Sequence, residues 1–172
     1  MAAEPTPSQT VGPYFSLGLL LRDADQVVAP DAPGAIRLTG SIRDGDGEPV
    51  PDAMVEVWQA DEEGQYRPEF GWARSGCDGD GRYSLVLVKP GRVADAVGGL
   101  QAPHLTMLVF ARGLLKPVLT RMYFPDEADA NAEDHVLASL EDASSLVARP
   151  TGDGLEFDIH LQGEGETVFF AV

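Results

Sequence analysis

Three histidines, four tyrosines and one cysteine are the side chains of this 172-residue chain best suited to hold a metal or move a proton. His104, His135 and His160 lie far apart, and no CxxC or HExxH spacing gathers ligands onto one turn or helix face. His104 follows Pro103 at the mouth of an expected strand. It is either a hydrogen-bonded structural imidazole or one ligand of a metal whose other ligands come from elsewhere. Tyr66, in Gly64-Gln65-Tyr66-Arg67, is either a phenolate ligand or an aromatic carried on a loop. His135 and His160 fall on the polar sides of an expected helix and strand and read as surface residues. There is no serine elbow, phosphate-binding loop or dinucleotide glycine fingerprint. The Asp-Gly stretches at 44–47 and 78–81 lack the acidic spacing and closing glutamate of an EF-hand, so hairpin turns are expected rather than calcium sites.

Composition narrows the classes further. Twenty-eight acids against twelve bases give a formal net charge of −16, which repels nucleic acid and anionic lipid alike. The charge reads as a solubility feature, and an anionic substrate would need basic residues focused on one site. A single cysteine, Cys77, cannot form an internal disulfide. Residues 1–9 show no basic stretch followed by an apolar run, and the apolar run at 15–21 is too short to span a bilayer. A cytoplasmic location is the expectation.

The elements that must position these side chains are mostly strands. Residues 1–34 read as an extended arm, because Pro5, Pro7, Pro13, Pro30 and Pro33 forbid a long helix. Its apolar residues, Val11, Tyr14, Phe15, Leu17 and Leu19 to Leu21 among them, must pack on this chain's core or on a neighbouring subunit. Period-two patterning predicts strands at 36–42, 53–59 and 155–161, a nearly continuous apolar run predicts one at 83–89, and two more are expected at 105–111 and 118–124. One short helix is expected at 131–141, with Asn131 as its cap and Val136, Leu137 and Leu140 as its apolar stripe. The apolar tail at 167–172 should dock. Short strands at turn-spaced intervals predict an all-β protein, a β-sandwich over residues 35–172 preceded by the arm at 1–34.

Six segments, in order, resemble the intradiol ring-cleavage dioxygenases, in particular the protocatechuate 3,4-dioxygenases. They are Thr6-Pro7-Ser8-Gln9-Thr10-Val11-Gly12-Pro13-Tyr14-Phe15, the stretch 51–60 ending Val57-Trp58-Gln59-Ala60, and Val88-Lys89-Pro90-Gly91. Ala102-Pro103-His104-Leu105, Thr120-Arg121-Met122-Tyr123-Phe124-Pro125-Asp126-Glu127 and the stretch 157–164 complete the set.

The resemblance implies a non-haem ferric ion held by two tyrosines and two histidines, a donor set that suits Fe(III). Tyr66 and His104 match one position of each kind, but the other two positions hold Val93 and Thr106. Neither replaces the lost ligand, so no metal is expected here. Tyr66 and His104 would be remnants of a degenerate site, and no residue of this chain alone would be catalytic. By resemblance the chain is an alpha-type subunit partnered by a beta chain that holds the Fe(III), with a small catechol bound at the shared site. The arm residues Thr10, Gly12 and Pro13 match those lining that site. Arg121 would either attract the substrate carboxylate or pair with Asp126 or Glu127. A self-sufficient ferric dioxygenase and a non-enzymatic, transthyretin-like binding module are the competing readings.

Overall fold

The computed structural model of the chain describes residues 12, 18–95 and 98–171. Among them the first strands are β1 (Ile36–Arg43), β2 (Met54–Trp58), β3 (Trp72–Gly76), β4 (Arg82–Leu87), β5 (Val93–Ala94) and β6 (Leu100–Gln101). Then come β7 (His104–Phe110), β8 (Val118–Tyr123), two helices, α1 (Ala128–Glu133) and α2 (His135–Ala138), and a 3-10 turn at Ser144–Leu146. The closing strands are β9 (Arg149–Thr151), β10 (Gly154–Glu156) and β11 (Ile159–His160).

Two sheets face one another, as alternation in the sequence requires. In the first, β1 runs antiparallel to β4 on one side and parallel to β10 and β11 on the other, with β9 beyond β10. The second is antiparallel, in the order β3-β2-β7-β8. Leu38, Ile42, Leu85 and Leu87 from the first meet Val55, Val57, Leu105, Met107 and Met122 from the second in one buried core. Each such side chain contributes about 1.5–3 kcal/mol by leaving water. The all-β expectation is met.

The expected strand at 155–161 is interrupted. Its register against β1 is continuous, Leu38 facing Leu155 and Ile42 facing Ile159. Between these pairs the Ser41 amide and hydroxyl donate to Asp158 Oδ1 at 2.8 Å, and Tyr83 Oη donates to the Phe157 carbonyl at 2.6 Å. Side chains there take over bonds that a backbone ladder would make, which splits the strand into β10 and β11. Gly40 permits the close approach, because a Cβ there would lie 1.9 Å from the Phe157 carbonyl oxygen.

The Asp-Gly segments form turns as predicted. Asp44 Oδ1 accepts from the amides of Asp46 and Glu48, and Asp78 Oδ1 from those of Asp80 and Arg82. Asp61 repeats the device toward Glu63 and Gln65. These carboxylates are committed to their own backbones.

Residues 19–27 lie along the open side of the sandwich. Arg74 of β3 donates through its amide to Ala24 O, and Arg74 Nη1 donates to Leu19 O at 2.8 Å. Val27 N donates to Val86 O at 2.7 Å, and Val86 N to Asp25 O at 2.9 Å, so the same segment joins β4. The tail docks as expected, with Phe170 N donating to Leu119 O at 2.8 Å and Thr120 Oγ1 to Val168 O at 2.8 Å.

The helix expectation is corrected. The segment breaks into α1 and α2 at Asp134, whose Oδ1 accepts from the amides of Val136 and Leu137 and caps α2. Asn131 lies inside α1 and donates through Nδ2 to Phe124 O instead of capping. Asp134 takes the cap because it stands at the start of α2 and its other oxygen, Oδ2, is held by the Ala102 amide.

Candidate functional site

Alternation in β7 and β8 sorts the candidates. Leu105, Met107 and Met122 point into the core, so His104, Thr106, Arg121 and Tyr123 share the opposite face. His104 stands opposite Tyr123, and Thr106 opposite Arg121. Trp58 of β2 neighbours Thr106 on its other side, and Trp72 of β3 neighbours Trp58. One row across the sheet therefore reads Trp72, Trp58, Thr106, Arg121. The two indoles pack edge-on with centroids 6.5 Å apart.

Tyr123, with Ala102, Ala130, Leu137 and Leu146, forms a second small core under the helices. His104 is buried beside it, its ring centroid 5.5 Å from that of Tyr123. His104 Nδ1 donates to Ala102 O at 2.8 Å, which fixes the tautomer and leaves Nε2 as the basic nitrogen. Ala102 is itself held by Asp134, whose Oδ2 accepts its amide at 2.7 Å. Burial, and secondarily the Arg121 charge, push His104 down to about 4, so the ring is neutral at physiological pH.

Arg121 Nη1 donates to Gln101 Oε1 at 3.0 Å and to Tyr123 Oη at 3.2 Å, and the guanidinium lies 5.9 Å from the Phe170 ring centroid. These partners are neutral. The pairing with Asp126 or Glu127 does not form: Lys89 Nζ takes both, at 2.8 and 2.7 Å, and its hydrogen bond, aided by its charge, holds Asp126 below the usual carboxylate range. That bridge also ties the Lys-Pro-Gly turn to the segment after β8. Gln59 Nε2 ties the same region to β2 by donating to Val88 O at 2.9 Å.

Tyr66 sits on a loop after β2 and is 51% exposed. The loop is anchored where Gly91 N donates to Asp61 O at 2.8 Å. Val93 lies in β5 opposite Gln101 of β6. Gly12 has φ of +78°, a conformation that favours glycine, while Thr10 and Pro13 lie outside the described residues.

These residues do not fit a ferric ion. Val93 and Thr106 offer no phenolate or imidazole, Tyr66 faces solvent, and a permanent cation stands opposite Thr106. Among the described residues no group of three His, Cys, Asp or Glu side chains could hold a metal. Sequence reasoning missed Gln101 and Tyr123, the two side chains that hold Arg121. Period two from Arg121 does put Tyr123 on the same face; nothing local marks Gln101.

The family described as Dioxygenase matches residues 11–163. The chain belongs to the intradiol dioxygenase family. Among its relatives, the protocatechuate 3,4-dioxygenase alpha chain of Pseudomonas putida is 42% identical, over 96% of this chain and 95% of that one. The protocatechuate 3,4-dioxygenase beta chain of Burkholderia cepacia is 30% identical, over 77% of this chain and 66% of that one. Among solved structures, the dioxygenase domain of a dioxygenase–carbohydrate-binding fusion from Streptomyces sp. SirexAA-E superposes with a TM-score of 0.65 at 25% identity, covering 93% of this chain and 99% of that one. Intradiol dioxygenases work with non-haem iron. This member keeps the family's sandwich, and among the described residues no side-chain group could hold that metal.

Proposed function

We propose that this chain is the non-iron-binding alpha subunit of a protocatechuate 3,4-dioxygenase. The partner beta chain carries the Fe(III), and the complex cleaves protocatechuate with O2 to 3-carboxy-cis,cis-muconate in aromatic catabolism. One observation carries this reading: a chain similar over nearly its whole length to an alpha chain has valine and threonine at two of the four ligand positions. Both oxygen atoms enter the product as the bond between the hydroxyl-bearing carbons breaks, and that chemistry belongs to the partner's iron.

This chain's contribution is shape and assembly. Thr10, Gly12 and Pro13 would form part of the substrate pocket wall from the arm at 1–34. Glycine lets backbone approach a flat ring, proline gives a rigid apolar surface, and the threonine hydroxyl reaches a polar substituent. Arg121 is the candidate for attracting the substrate carboxylate, since its described partners are all neutral. Among the described residues no helix is long and apolar enough to cross a membrane, which accords with a cytoplasmic complex.

The test is co-expression with the beta chain, following oxygen uptake with protocatechuate. Deleting residues 1–17, or Pro13→Ala, should lower kcat/KM while leaving the iron content of the complex unchanged. Full activity after arm deletion would overturn the pocket-wall role.

A further inference from the structure

The lost ligand positions do more than leave a metal unheld. Thr106 stands directly opposite Arg121 in the ladder between β7 and β8, where facing Cβ atoms lie about 4.5–5.5 Å apart. Val93 stands opposite Gln101, whose Oε1 accepts from Arg121 Nη1 at 3.0 Å. His104 packs against Tyr123, whose hydroxyl accepts from the same Nη1 at 3.2 Å. A single guanidinium is thus coupled, directly or through one side chain, to three of the four ligand positions.

We propose that Arg121 excludes metal from this chain's degenerate site, so that restoring the missing ligands alone does not restore iron binding. The inference rests on the ligand positions named above. A guanidinium keeps its charge at any working pH, unlike a lysine, which can shed its proton when desolvated. Its described partners are an amide oxygen, a phenol and a phenyl ring, and none of them cancels that charge. A histidine placed at 106 would hold its metal within a few ångströms of this fixed cation, in a partly desolvated setting where like charges repel strongly. Ligand loss and the fixed charge are therefore two separate barriers to iron.

The test uses the complex co-expressed with the beta chain and measures iron on each chain by native mass spectrometry, with absorption for the tyrosinate-to-iron band. Val93→Tyr and Thr106→His are introduced together into this chain, with position 121 kept as arginine or changed by Arg121→Gln or Arg121→Leu. All three positions are only partly buried, so the core between the sheets is untouched. With arginine at 121 this chain should carry no iron; with glutamine or leucine it should take up a stoichiometric ion. Equal iron uptake with arginine and with glutamine would overturn the proposal, as would no uptake by both neutral variants. Iron on the unmodified chain would instead overturn the proposed function, so the two failures are separable.

Discussion

Asp134 and His104 are linked through a single residue: Asp134 Oδ2 accepts the Ala102 amide at 2.7 Å, and the Ala102 carbonyl accepts from His104 Nδ1 at 2.8 Å. One buried carboxylate thus sets both the start of α2 and the orientation of the retained histidine.

Asp134→Ala should therefore cost more than an ordinary helix cap. It leaves the amides of Val136, Leu137 and Ala102 without their acceptor in a buried setting. A loss of about 2–4 kcal/mol is expected from the cap together with a buried unsatisfied donor. Urea unfolding of the complex or of the chain measures it; a loss within about 0.5 kcal/mol, the range of an ordinary surface substitution, would contradict the linkage.

Gly40 is the tightest point of the first sheet. An added methyl would lie 1.9 Å from the Phe157 carbonyl oxygen and 2.7 Å from Tyr83 Oη. Gly40→Ala should destabilise the chain by about 3 kcal/mol or more, because backbone rather than a flexible side chain must move. Gly47→Ala, whose methyl would meet nothing within 4 Å, serves as a control that carries only the strain of its φ of +80°.

Acid should destabilise the fold between pH 6.5 and 4. The folded state holds His104 near 4, below the ordinary imidazole value, so the unfolded chain binds the extra proton first as pH falls. Stability is unaffected by this group above pH 6.5 and drops progressively toward pH 4, by about 3 kcal/mol in the limit. Asp158 adds a loss at lower pH: Ser41 and Arg149 outweigh burial and hold it below its ordinary value, so protonation breaks those contacts. His104→Gln should flatten the slope between pH 6.5 and 4 in unfolding measured across pH. An imidazole resonance of His104 titrating near 6.5 would contradict the account.

Much of the sandwich was legible because its longer strands show either apolar alternation, as at 36–42, or a continuous apolar run, as at 83–89. Arg121 and Thr106 each fell on a predicted strand, yet their facing each other depends on the register between β7 and β8, which no local pattern fixes. The strand β3 was missed because Trp72-Ala73-Arg74-Ser75-Gly76 buries only the small Ala73 and Ser75 inward and shows no apolar alternation. The break at Phe157 and Asp158 was missed because it comes from Ser41 and Tyr83, more than seventy residues away. The helix was mis-capped because Asn131 and Asp134 are both acceptable caps, and only the packing of Ala102 favours the second. The lost ligands were visible by resemblance alone; the guanidinium coupled to them needed the fold.

The central claim is that iron sits on the partner and not on this chain. Native mass spectrometry of the co-expressed complex, followed by separation of the two chains and iron quantification on each, tests it most directly. The account predicts iron on the beta chain, none on this one, and no tyrosinate-to-iron absorption from this chain alone. Stoichiometric iron on this chain, with catechol cleavage in the absence of any partner, would contradict it.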